Sequence, residues 1–174
     1  MNKVAKFEKV SYEQFEKDTL KAFPYLTEED IMIAYKNIKL PRRSTTGSAG
    51  YDFFLPFNIL LPEDKAVVIP TGIRCRIDNG WMLAAFPRSG YGFKYGIHLA
   101  NTVGIIDADY YDADNEGHIQ IKLVNDSVLS KDNILNFENN TAFCQGIFIP
   151  FGITLDDWAY GIRIGGFGST DKSE

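Results

Sequence analysis

The rhythm of polar and apolar positions changes twice along the chain. Lys3 to Val10 alternates and predicts a short strand. Ser11-Tyr12-Glu13-Gln14 then has the spacing of a helix capping box, and Phe15, Leu20 and Phe23 follow at roughly helical intervals. Pro24 interrupts. Thr27-Glu28-Glu29-Asp30 is a second start signal, leading into Ile31, Ile33, Ala34 and Tyr35. That helix must stop before Pro41, because a residue preceding proline is pushed out of the helical region. These are the only two helices the pattern supports, and they read as an amphipathic cover on a β core.

From Ser48 the period falls to two. Ile73, Cys75 and Ile77 alternate with Arg74, Arg76 and Asp78, and Ile119, Ile121 and Leu123 alternate with His118, Gln120 and Lys122. Turn signals fall at Pro56, Pro62-Glu63-Asp64, Asp78-Asn79-Gly80 and Asn139-Asn140. Many short strands with tight turns and no βαβ rhythm predict an all-β fold, an antiparallel barrel or jelly roll. The expected organisation is one domain over residues 1–174 with helices inserted at 11–37. Residues 164–174, Gly-rich and polar, read as a flexible C-terminal segment.

Composition narrows the partners. The 174 residues are 45% hydrophobic and 24% charged, enough for a core without metal or disulfide staples. Cys75 and Cys144 have no CxxC pairing, so they read as core residues in a reducing, cytoplasmic setting. The first residues lack the apolar run of a secretory signal, and no stretch approaches a membrane span. A net charge of −5 argues against a nucleic-acid polymer, whose binding rests on phosphate neutralisation by basic patches. A single small anion needs only local donors, so a nucleotide stays open.

Five segments are poor choices for plain β structure. Ser48-Ala49-Gly50-Tyr51-Asp52 is a small-residue turn ending in a carboxylate. Pro87-Arg88-Ser89-Gly90 joins a guanidinium fork, a hydroxyl and a glycine loop, donors that suit an anion. Asn101 to Tyr110 has the composition of a β-hairpin ending in two acids and an aromatic, whose free backbone groups could read a base edge. Phe143-Cys144-Gln145-Gly146 is an apolar strand interrupted by one amide. The tail offers Arg163, Phe167, Ser169 and Thr170 among glycines, the composition of a donor-rich lid. Each alone also suits an ordinary turn, core strand or tail.

In this order the five resemble the motifs of the trimeric dUTPase family. The matching residues are Ala49-Gly50-Tyr51-Asp52, Pro87-Arg88-Ser89-Gly90, Gly104-Ile105-Ile106-Asp107-Ala108-Asp109-Tyr110, Gln145 and Gly165-Gly166-Phe167-Gly168-Ser169-Thr170. The resemblance runs from about Leu40 to Thr170 and leaves the two helices outside. It implies a β jelly-roll (β-clip) homotrimer with active sites between subunits, hydrolysing dUTP to dUMP and pyrophosphate with Mg²⁺. Asp107 would be the catalytic carboxylate that activates water. Asn101 and Gly104 would read uracil, and Tyr110 would pack on the deoxyribose. Arg88, Ser89, Gly90 and Gln145 would hold phosphates, with Asp52 bracing them. Phe167, Gly168, Ser169, Thr170 and Arg163 would close over a neighbour's nucleotide. Mg²⁺ would arrive on the triphosphate, since no carboxylates are spaced as a cage.

The sequence departs from the pattern in three places. Ala142 stands where the family usually has a basic residue. One residue, Ile164, separates Arg163 from the glycine pair where two are commoner. Tyr111 to Glu116 is an acidic insertion, read here as a solvated hairpin loop. Its EF-hand-like offsets fail because Leu123 holds the position of the bidentate carboxylate. His98 and His118 have no acid or Cys at ligand spacing and read as surface or packing residues. A dCTP deaminase shares the fold but needs a glutamate where Lys122 stands. A nucleotide sensor with weak turnover is the alternative from another class, and the helices are where such a role could sit.

Overall fold

The computed structural model describes residues 2–126, 134–161, 163 and 165. The chain opens with β1 (Ala5–Lys9), then α1 (Tyr12–Ala22) and α2 (Glu28–Asn37). Strands follow: β2 (Tyr51–Phe54), β3 (Ile59–Pro62), β4 (Ala66–Pro70), β5 (Ile73–Ile77) and β6 (Trp81–Pro87). A short helix α3 (Ser89–Tyr95) precedes β7 (His98–Leu99) and β8 (Gly104–Ile106). A 3-10 helix (Ala108–Asp112), β9 (Gln120–Val124), β10 (Ile134–Phe137) and β11 (Ala142–Pro150) complete it. Every strand pair is antiparallel, in sheets ordered β1-β5, β10-β3, β2-β11-β6-β8 and β4-β9-β7. This is the mostly-β, jelly-roll-like fold the alternation predicts.

The period-two pattern works because one face of each strand meets the core. Ile73, Cys75 and Ile77 are buried on β5, as are Ile121 and Leu123 on β9. They join Phe53, Leu55, Leu83 and Phe143 in one continuous apolar cluster. Turns sit where the punctuation predicts them, with positive φ at Asp64, Gly80 and Asn140. Cys75 and Cys144 are both buried free thiols.

The helices begin as their sequences require. Thr27 and Asp30 form a complete capping box for α2. At α1 the box is only half local. The Ser11 side chain accepts from the Gln14 amide at 3.1 Å, but Gln14 reaches forward to Asp18 instead of back to Ser11. The Ser11 amide donates instead to Glu116 Oε2 at 2.7 Å. Phe15 and Ile31 pack with Val10 and Ala34 into a smaller cluster. Burying each such large side chain contributes about 2–3 kcal/mol.

Three expectations need correcting. Pro87-Arg88-Ser89-Gly90 does not open a glycine loop but enters α3, a third helix the pattern did not support. Gly90 and Gly92 disfavour helix, yet Tyr91 packs edge-on against Phe137 with ring centroids 5.2 Å apart, and Gly96 closes the helix in the left-handed region. Asn101 to Tyr110 is not a paired hairpin. β7 joins β9 and β8 joins β6, so the intervening turn spans two sheets. The acidic insertion is not a solvated loop: Tyr111 and Ala113 are buried in it.

Candidate active site

The motif residues gather at two places. The first spans β2, β11 and the end of β6 in the four-stranded sheet. Gln145 on β11 pairs with Asp52 on β2, and on its other side with Phe86 on β6. Asp52 Oδ1 lies 3.2 Å from Arg88 Nε, and its Oδ2 accepts from Ser44 Oγ at 2.9 Å. Gln145 Nε2 donates to the Pro87 carbonyl at 3.2 Å. Arg88 is partly exposed, so its ion pair with Asp52 contributes no more than about 1 kcal/mol. Its effect is to aim the guanidinium. Ser89 and Gly90 are exposed at the start of α3, and the space a Cβ would take at Gly90 is open. These are hydrogen-bond donors facing solvent, a suitable set for an anion.

Gly50 fits the same cluster for a steric reason. A Cβ at Gly50 would meet Gln145 Oε1 at 2.5 Å, so the glycine leaves room for the amide.

The second place lies at the β8 edge. Leu83 pairs with Ile106, Ala84 with Ile105 and Ala85 with Gly104, and Asp107 follows directly. Asp107 stands at the N-cap of the 3-10 helix in extended conformation, its side chain 46% exposed, so the carboxylate can reach water. Tyr110 is buried. Its hydroxyl donates to the His118 carbonyl at 2.8 Å and accepts from Asn115 Nδ2 at 2.7 Å. Burial raises the Tyr110 pKa, so the phenol stays protonated. A pocket of about 460 Å³ opens beside this edge, lined by Leu99, Asn101, Gly104, Ile106 and, from α1, Lys21. Arg163 comes back to the same edge and pairs with both Asp107 and Asp109.

Asp107 does not meet the Asp52–Arg88 group within one copy. Asp52 and Asp107 belong to opposite edge strands, three strand spacings apart, about 14 Å at about 4.8 Å each. Arg88 and Asp107 also lie at opposite ends of the β6–β8 ladder, about 20 Å apart at about 3.3 Å per residue. No side chain closes such a gap around one phosphorus atom.

Comparison with known proteins adds to this geometry. The family model for dUTPase matches residues 36–157. The chain belongs to the dUTPase family. The dUTPase match takes in Asp52, Arg88, Asn101, Asp107, Tyr110 and Gln145 and begins at the end of α2, leaving β1, α1 and Arg163 outside it. Among curated relatives, the deoxyuridine 5'-triphosphate nucleotidohydrolase of Lactococcus lactis is 36% identical over 146 residues, covering 81% of this chain and 95% of that protein. The enzyme of the same name from Buchnera aphidicola is 38% identical over 153 residues, covering 79% and 90%. The crystal structure of dUTPase from Streptococcus mutans superposes with a TM-score of 0.61 at 30% identity, covering 85% of this chain and 97% of that one.

His118 is the residue that reading the sequence missed. It is fully buried, with Nδ1 2.6 Å from Asp18 Oδ2 on α1, an acid a hundred residues away. No spacing rule reaches that far. His98 is exposed, as expected, with Nδ1 3.3 Å from the Gly96 carbonyl. Phe167, Gly168, Ser169 and Thr170 lie outside the described residues.

Proposed function

We propose that this protein hydrolyses dUTP to dUMP and pyrophosphate in composite sites formed between copies of the chain. The observation that carries the reading is the separation, within one sheet, of Asp107 beyond the end of β8 from Asp52 on β2, Gln145 on β11 and Arg88 beyond the far end of β6. One copy presents Asp107, Tyr110, Asn101 and Gly104; another presents Arg88, Ser89, Gly90 and Gln145. The family trimer is the arrangement we adopt, and the exposed Ile153, Leu155, Trp158 and Tyr160 after β11 support it as an arm that packs on a neighbour.

In this reading the pocket beside Gly104 takes the uracil, whose edge is read by main-chain groups and Asn101. The Tyr110 ring backs the deoxyribose and leaves no room for a 2'-hydroxyl. Asp107 holds a water and removes its proton as the oxygen attacks the α-phosphorus, and pyrophosphate departs. Arg88, Ser89, Gly90 and Gln145 fix the phosphates, a task of positioning and charge neutralisation. Arg163, Phe167, Gly168, Ser169 and Thr170 close the site, with Arg163 turned toward the γ-phosphate.

Among the described residues no three His, Cys, Asp or Glu side chains are grouped to hold a metal. The donors around Asp52 fit a Mg²⁺-chelated triphosphate, in which the ion neutralises phosphate charge. No described helix is long and apolar enough to cross a membrane. A cytoplasmic place for the enzyme is part of the proposal.

The test is release of pyrophosphate from dUTP, dCTP, dTTP and UTP, with the mass in solution measured alongside. Turnover confined to dUTP by a species three times the chain mass is expected. Asp107→Asn should keep nucleotide binding while turnover falls about 10²–10⁴-fold, the usual contribution of a positioned base. Absence of dUTP turnover in the unaltered protein would refute the proposal.

A further inference from the structure

Helix α1 lies outside the family match, yet it is wired to the segment that carries Asp107 and Tyr110. Two contacts make the connection. Near its start, Ser11 donates both its amide and its hydroxyl to Glu116, at 2.7 and 2.6 Å. One turn before its end, Asp18 Oδ2 takes the Nδ1 proton of His118 in a 2.6 Å hydrogen bond.

The state of His118 follows from its two partners. The Gly72 amide donates to His118 Nε2 at 2.8 Å, so that nitrogen must offer a lone pair. The proton is therefore on Nδ1, facing Asp18. The ring is fixed at both ends, and Gln14 Nε2 holds the same Asp18 oxygen at 2.8 Å. A fixed ring fixes its own main chain, and the His118 carbonyl is what the Tyr110 hydroxyl bonds. On the other side of that hydroxyl stands Asn115, the neighbour of Glu116.

The turn between these contacts has no slack. Glu116 and Gly117 both have positive φ, 57° and 66°. A Cβ at Gly117 would lie 2.6 Å from the Tyr110 carbonyl oxygen and 2.7 Å from Tyr111 Cα. The turn therefore folds directly against the backbone of the tyrosine it serves. Lys21, on the next turn of α1 after Asp18, lines the same pocket as Asn101 and Gly104.

We infer that α1 is a positioning element of the nucleoside site, in which Asp18 and Ser11, acting through His118 and Glu116, set the placement of Tyr110 and so the rejection of a 2'-hydroxyl. This rests on the assignment of Tyr110 to the deoxyribose. Asp18 and His118 touch no substrate; they act through Tyr110. The acidic insertion is then the docking half of the device, and its burial at Tyr111 and Ala113 is what makes it rigid.

The experiment compares Asp18→Ala, Asp18→Asn and Tyr110→Leu in the full chain, reading hydrogen exchange over residues 107–118 and the dUTP:UTP ratio of kcat/KM. Asp18→Ala should speed exchange in that segment and lower the ratio about tenfold, mainly through a gain in kcat/KM for UTP. Asp18→Asn keeps an acceptor for the Nδ1 proton and should restore most of both. A merely structural Asp18 would lower the melting temperature and leave the ratio unmoved, and that result overturns the inference. So does unchanged exchange in Asp18→Ala. Should Asp18→Ala fail to fold, Ser11→Ala and Glu116→Gln are read by the same two measurements and the same criteria. Tyr110→Leu separates the two layers: a ratio unmoved by it refutes the sugar assignment, and the inference with it. If instead it moves the ratio and Asp18→Ala does not, only the inference fails.

Discussion

Arg163 Nη2 lies 2.5 Å from Asp107 Oδ2, so the carboxylate proposed to activate water is paired with a cation from the end of its own chain. The same guanidinium holds Asp109 through Nε at 2.9 Å and lies 5.7 Å from the Tyr110 ring centroid. In the proposed site a nucleotide would draw Arg163 off this carboxylate toward its terminal phosphate, which suits a guanidinium fork.

Arg163→Gln should therefore raise KM for dUTP about tenfold or more, the loss of one charged hydrogen bond of about 1.5–3 kcal/mol. Affinity for dUMP, which lacks the γ-phosphate, should not change. The fold should barely respond, because Asp107 is half exposed and such pairs contribute about 0–1 kcal/mol. Steady-state kinetics, dUMP calorimetry and a melting curve check the three parts.

Gly50→Ala should damage activity without unfolding the protein. The added methyl meets the free end of Gln145, which can swing aside, while the backbone need not move. In doing so the amide gives up its bond to the Pro87 carbonyl and leaves the proposed phosphate side of the site. A KM increase of about tenfold with a melting temperature within about 3 °C of the parent is expected.

Acid should loosen α1. Burial raises the Asp18 and Glu116 pKa values, but hydrogen bonds from His118 and Gln14 to Asp18, and from Ser11 to Glu116, outweigh it and hold both below 3.8 and 4.5. Carboxylates depressed in the fold contribute stability that is complete above their unfolded values and lost as pH falls through the folded ones. The parent should thus be more stable than an Asp18→Asn, Glu116→Gln double variant from about pH 5 to 7, and the gap should shrink below about pH 4. Urea midpoints across that range measure it.

How far the sequence disclosed this site depends on how local each signal is. The Ser11 and Thr27 caps, the period-two strands and the turn at Gly80 depend on residues within a few positions, and all are readable. Helix α3 is not, because Gly90 and Gly92 argue against it and only the packing of Tyr91 on Phe137 overrides them. Asp107 has no local mark beyond a carboxylate in a turn; the ordered set of five motifs singles it out. His118 and Asp18 cannot be paired by inspection, because a fold must bring them together. The separation of Asp107 from Arg88 and Asp52 is likewise a property of strand order and register, which no motif contains.

The thiols should be silent in the native protein. Burial pushes Cys75 up to about 12 and raises Cys144 as well, so neither forms a thiolate near neutrality. A colorimetric thiol reagent at pH 8 should find no reactive group until denaturant is added, and then both cysteines of the chain.

The acceptor for the Ser11 amide sits 105 residues downstream. During synthesis α1 can start to coil early, but its first turn waits for the ribosome to deliver Glu116. Closing so long a loop is costly before its contacts repay it. Docking of α1 is therefore a late event, and it comes only after the strands from β2 to β8 have left the exit tunnel.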